Sequence, residues 1–147
     1  MPSQQSLACA CGQVRLTTTG SQVRLTTTGS PIASVECCCD SCRRAGVRMQ
    51  AMPGVPQVLG PQGQTHFVMQ RKDRVRIDAG HSRLHAWRLS STAGSRRVVA
   101  GCCNTPLFLE FSGGHWLSLY GLLWPDAIRP AVEMRTMVND LPDASVL

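Results

Sequence analysis

Apolar and polar residues alternate over several short stretches of the chain, and a period of two predicts strands with one buried face. Val14 and Leu16, and again Val23 and Leu25, alternate with Gln, Arg and Thr. Arg74 to Asp78, Leu84 to Leu89 and Arg97 to Ala100 follow the same pattern and are read as strands. Leu107 to Phe111, Gly113-Gly114 and Trp116 to Leu122 read as a hairpin. A short helix is predicted over Ser41 to Gln50, followed by a Pro- and Gly-rich loop from Met52 to Gly63. The stretch from Pro125 to Arg135 is expected to be helical between its prolines. The class expected is mainly β. No linker divides the chain, so one domain over residues 1–147 is expected.

One stretch occurs twice. Gln13 to Ser21 reads QVRLTTTGS, and Gln22 to Ser30 repeats it at all nine positions. A single short duplication is not a solenoid, which needs several longer units to stack a core. Because nine is odd, sliding the strand through by one copy would turn its apolar face outward. One copy is therefore expected to be the strand. The other is expected to leave as a hairpin at Gly20-Ser21 or as a surface loop.

Composition narrows the class. Hydrophobic residues make up 43% and charged residues 16% of the 147 positions, which excludes a disordered or coiled-coil chain. No apolar run is long enough for a bilayer span, and Met1 to Leu7 has neither a basic region nor an apolar core. A soluble protein without a secretory signal, placed in the cytoplasm and not on a membrane, is the expectation. The net charge of +6 rests on 14 Arg and one Lys, Lys72, against 9 acidic residues. These cations are scattered from Arg15 to Arg135, which argues against a nucleic-acid footprint. Arginine's planar fork suits an anionic small molecule at least as well.

In a reducing compartment, clustered cysteines are metal ligands more often than disulfide partners. The eight cysteines form three groups: Cys9-x-Cys11, then Cys37-Cys38-Cys39-x-x-Cys42, then Cys102-Cys103. Close pairs on tight turns let two sulfurs face one zinc. Cys9, Cys11, Cys102 and Cys103 are the natural set for a closed tetrahedral site joining an early strand to a late one. In the middle group, an extended backbone turns Cys38 away and lets Cys37, Cys39 and Cys42 converge. Three ligands with one open position mark a reactive zinc, although three thiolates make it a weak Lewis acid suited to binding a thiol. A buried reduced cluster, or a redox pair at Cys39-x-x-Cys42, are the alternatives for the same residues.

Three segments carry a family resemblance: Cys9-Ala10-Cys11-Gly12-Gln13-Val14-Arg15, then Cys37-Cys38-Cys39-Asp40-Ser41-Cys42-Arg43-Arg44, then Cys103-Asn104-Thr105-Pro106-Leu107. Over roughly Leu7 to Leu123 the chain resembles the glutathione-dependent formaldehyde-activating enzyme family. Cys11 and Cys37 stand 26 positions apart, or 17 without one repeat copy, about the separation usual in that family. The resemblance implies a β-tent of twisted antiparallel sheets organised around zinc sites. It implies a structural zinc on the first and last cysteine groups and a catalytic one on Cys37, Cys39 and Cys42. It also implies a carbon-sulfur lyase acting on S-hydroxymethylglutathione, so glutathione or a similar thiol is the expected small-molecule partner. The chain departs from the pattern in places: Ala100 stands where the late motif has its first cysteine, leaving Cys102 as the substitute. Asn104 replaces a glycine, and Cys38 a residue that is often His.

Arg43 and Arg44 follow the last cysteine of the middle group and can pair with a substrate carboxylate or offset the negative zinc-thiolate centre, or simply begin a solvated helix. His81 and His85 lie in a turn and strand pattern that argues against a ligand pair, and His66 and His115 stand alone. Trp87, Trp116 and Trp124 are expected to pack in the core, with a pocket rim as the alternative. Two classes follow. One is the zinc-dependent lyase; the other is a zinc-stabilised β scaffold whose basic surface docks a protein or nucleic acid, as in the related centromere protein V, and a thiol carrier that binds glutathione without turnover lies between them.

Overall fold

The computed structural model describes residues 4–10 and 23–140. The large sheet of the molecule collects strands whose residues are apolar on both sides. Thr65–Arg71 (β4), Ser95–Ala100 (β7), Pro106–Phe111 (β8) and Trp116–Tyr120 (β9) each carry near-continuous buried runs. Such runs suit strands covered on both faces. Around them lie Ala33–Cys37 (β3), Leu84–Trp87 (β6) and Met134–Thr136 (β10), giving seven strands in the order β10-β3-β4-β9-β8-β7-β6. Pairing is antiparallel except between β10 and β3, which run parallel.

A smaller antiparallel sheet covers one face. It contains Gln4–Ala8 (β1), Arg24–Thr28 (β2) and Val75–Ala79 (β5), in the order β1-β2-β5. Leu7, Val23 and Leu25 from this layer meet Val68, Val98, Leu107, Leu117 and Leu119 of the large sheet in one core. The opposite face is covered by the helix Asp40–Gln50 (α1) and the loop after it, where Ala45, Met49 and Val58 pack on Val35, Phe67, Val99 and Tyr120. Adjacent residues such as Phe67 and Val68, or Val98 and Val99, thus serve two different cores, as the strand period requires.

In α1, Cys42, Ala45, Gly46 and Met49 are buried, at i, i+3, i+4 and i+7. Gly46 is there because Leu59 lies against it: a Cβ would stand 2.4 Å from the Leu59 Cδ2.

The mainly β expectation holds, and the helix, the Met52 to Gly63 loop and the β8–β9 hairpin lie close to where the sequence places them. The second repeat copy supplies β2; the first copy, with the turn expected at Gly20-Ser21, lies outside the described residues. One expectation fails. Pro125 to Arg135 is not helical: it holds a single 3-10 turn, Asp126–Ile128, and enters β10. The chain there takes its hydrogen bonds from β3, Glu133 N donating to Ser34 O at 2.7 Å, so tertiary pairing overrides local tendency. No helix among the described residues is long and apolar enough to cross a membrane.

Candidate metal centres

Two sulfur clusters form on opposite faces of the large sheet. The first joins Cys9, just after β1, to Cys102 and Cys103 in the turn between β7 and β8; their three Sγ atoms all lie within 4.8 Å of one another. The Cys9 and Cys102 sulfurs are 3.7 Å apart, and those of Cys102 and Cys103 3.9 Å. Sulfurs at about 2.3 Å from a common tetrahedral zinc stand about 3.8 Å apart, so the spacing fits a metal. It does not fit a disulfide, whose sulfurs lie about 2.05 Å apart.

Adjacent cysteines converge here because the backbone turns instead of extending. The Asn104 amide donates to Ala100 O at 2.7 Å, and Asn104 takes the left-handed conformation at φ 62°. Gly101 is pressed against the preceding turn, its amide 2.6 Å from Arg83 O, where a Cβ would lie 2.9 Å from that oxygen. Cys102 thereby comes within reach of Cys9, while Ala100 is buried at the end of β7. The Thr105 hydroxyl lies 3.0 Å from the Cys103 sulfur and accepts from the Ala10 amide, while the Val23 amide donates to the Cys9 sulfur at 3.2 Å. Cys11, the fourth ligand expected from sequence, lies outside the described residues.

The second cluster brings together Cys37 at the end of β3, Cys39 and Cys42, again with all three sulfurs within 4.8 Å. Its geometry is that of a helix start. Cys39 is extended (φ −69°, ψ 153°) and caps α1, its sulfur accepting from the Cys42 amide at 3.3 Å. One turn of helix then carries Cys42 back beneath it. Cys38 faces elsewhere, fully buried and outside the trio, its amide held by Thr136 O of β10 at 2.9 Å.

Charge in the trio is unevenly shared. Hydrogen bonds from Cys37 and Cys42, and from Ser41, hold the Cys39 thiol far below its ordinary range. The same contacts, with burial, push Cys42 far up, and Cys37 is raised chiefly by its bond to Cys39. A divalent cation beside all three sulfurs would favour the thiolate form of each.

The structure gives partners to several residues singled out from the sequence. Arg43 and Arg44 lie on α1 with their guanidinium groups on Asp40, at 3.1 and 3.0 Å, and Arg43 also donates to Asp140 O. The cation that touches the trio is instead Arg97 of β7, whose Nη2 lies 3.6 Å from the Cys42 sulfur. Sequence reasoning missed it, since SRRVVA presents two arginines and only the fold turns one inward. His66 is not isolated: its Nε2 lies 2.7 Å from the Ser34 hydroxyl, and burial with the nearby Arg129 lowers its pKa. No histidine among the described residues joins either sulfur cluster. Of the tryptophans Trp124 is buried, whereas Trp87 is half-exposed and lines a cavity of about 200 Å3 with Arg48, Met49, His85 and Val99.

No protein-family model matches the chain, and no curated protein matches it. A structural-genomics crystal structure of a Rhodobacter sphaeroides protein is similar over 90% of this chain and 100% of that one, with a TM-score of 0.55 at 13% identity, a likeness of fold alone.

Proposed function

We propose that this chain is a zinc protein of the glutathione-dependent formaldehyde-activating kind, making or breaking the carbon-sulfur bond of a thiol-aldehyde adduct such as S-hydroxymethylglutathione. The observation that carries this reading is the convergence of Cys37, Cys39 and Cys42 with Cys38 left out. Three sulfurs at a helix start leave room for one further ligand, whereas a closed structural site needs four. A zinc held there supplies an electrophilic position at which a thiol sulfur or a hydroxyl can be oriented.

What the chain's own residues do follows from their places. Cys39, fixed by the α1 cap, and Cys42, one turn along, hold the centre rigid, because neither side chain can leave without breaking a helix hydrogen bond or the packing of α1. Tyr120 and Val99 share a buried cluster with Cys42, which keeps bulk water from that side. The cavity beside Trp87 lies at the same layer of the core, and Arg48, 4.4 Å above the Trp87 ring, offers a cation to an anionic group there. Cys9, Cys102 and Cys103 are assigned the structural role.

The charge distribution supports a small-molecule partner over a nucleic acid. Arg43, Arg71, Arg76, Arg96 and Arg135 each pair with a neighbouring carboxylate, Asp40 and Glu110 serving a second cation as well, which leaves no continuous basic stripe among them. The test combines metal analysis with turnover. About two zincs per chain are expected, with lyase activity on the glutathione-formaldehyde adduct that Cys42→Ala abolishes. A metal-free chain, or calorimetry showing no heat with millimolar glutathione, would sink the proposal.

A further inference from the structure

Arg97 is a buried cation with no carboxylate. Only 2% of the residue is exposed, yet none of the ion pairs among the described residues includes it. Its Nε finds no hydrogen-bond partner; its other neighbours are the buried Tyr120 hydroxyl, which hydrogen-bonds with it, and the Trp87 ring, whose centroid is 5.9 Å away. An uncompensated guanidinium in a core is strongly destabilising, so a buried arginine implies a counter-charge. Burial keeps the Tyr120 hydroxyl neutral, so among the described residues the group that can carry the negative charge is sulfur: Nη2 lies 3.6 Å from Cys42 Sγ. Adjacent Arg96 makes the contrast, since it points outward and pairs with Glu110 at 2.6 Å.

The charges then close. Three thiolates and one divalent cation sum to minus one, and Arg97 brings the buried unit to zero. We infer that Arg97 is the built-in counter-ion of the Cys37, Cys39 and Cys42 centre, a positioning residue that sets how tightly the trio holds a divalent cation. The inference rests on the reading that a metal binds this trio. It also accounts for the placement of Cys42, the sulfur most deeply buried of the three and the one that a charged neighbour benefits most.

Cobalt titration of the full chain against a chromophoric chelator, followed by the thiolate-to-metal absorption, tests this without relying on turnover. Cys42→Ser identifies which binding step belongs to the trio. Arg97→Met and Arg97→Gln are expected to weaken that step about 10- to 100-fold while leaving the other step as in the wild type, and Arg97→Lys is expected to restore most of it. Arg97→Gln decides the matter if Arg97→Met fails to fold by circular dichroism. A folded neutral variant that titrates like the wild type overturns the inference, as does a lysine variant as weak as the neutral ones. So does equal loss at both steps, which marks a purely structural arginine. A wild type with one step that Cys42→Ser leaves unchanged would overturn the metal reading of the trio itself, and the inference with it.

Discussion

Cys39 performs two tasks with one atom. Its sulfur caps α1 and belongs to the trio, so the side chain that opens the helix also completes the cluster. The two roles separate by substitution. Serine is among the best capping residues, so Cys39→Ser should lose the metal centre yet keep the helix end, whereas Cys39→Ala should be about 1 kcal/mol less stable than Cys39→Ser in metal-free denaturant titrations. Gly101 is the backbone counterpart at the other cluster. With a Cβ only 2.9 Å from Arg83 O, Gly101→Ala should cost about 1–3 kcal/mol and reduce metal occupancy at Cys9, Cys102 and Cys103. A Gly101→Ala protein with native stability and full occupancy would show that this turn does not need its close approach.

The elements that carry the sites differ in how far local sequence explains them. The cysteine positions in α1 follow from a helix start at Cys39, and its apolar stripe is complete within Asp40–Gln50. Its glycine is another matter. Alanine is the better helix former by about 1 kcal/mol, so Gly46→Ala would stabilise an isolated helix. In the protein it should destabilise by about 1–2 kcal/mol, because its Cβ would strike the Leu59 side chain, itself buried and unable to swing aside freely. Thermal melts decide the sign. β4 escaped the sequence reading for a related reason: THFVMQR is buried on both faces and shows no alternation. β10 escaped it because three residues pairing with β3 carry no signal of their own.

At the scale of the molecule, the two clusters sit on opposite faces of one sheet. The Cys9–Cys102 contact spans 93 positions of sequence, so a metal there ties the small sheet to the large one across a long loop. Chelation should therefore lower the melting temperature, on the order of 10 °C for a loss of about 3 kcal/mol, and re-addition of zinc should restore it. An unchanged melt would mean that the fold does not depend on metal. Acid acts elsewhere. Burial alone would raise the Glu110 carboxyl, but hydrogen bonds from Lys72 and Arg96 outweigh it, and its pKa falls below the ordinary 4.5. A depressed folded pKa contributes stability that is in place above 4.5 and is lost as pH falls through the lowered value. Glu110→Gln should therefore flatten the acid limb of the stability profile and leave neutral pH little changed apart from the lost pairs. An identical acid limb in both proteins would remove Glu110 from the account.

What the amino-acid sequence determined alone is the local part: strands from alternation, the helix after Cys39, the loop rich in Pro and Gly, and the membership of Cys37, Cys39 and Cys42 in one group. Their spacing is short, and short spacing is fixed by backbone geometry. The tertiary structure alone decided that the turn after β7 lets adjacent Cys102 and Cys103 converge on Cys9, that Arg97 turns inward while Arg96 turns out, that His66 finds Ser34, and that Arg43 and Arg44 are occupied with Asp40. Each of these depends on residues brought together from distant strands or on which side of a sheet becomes covered. Periodicity says that a strand has two faces; only packing says which face a buried cation shares with sulfur.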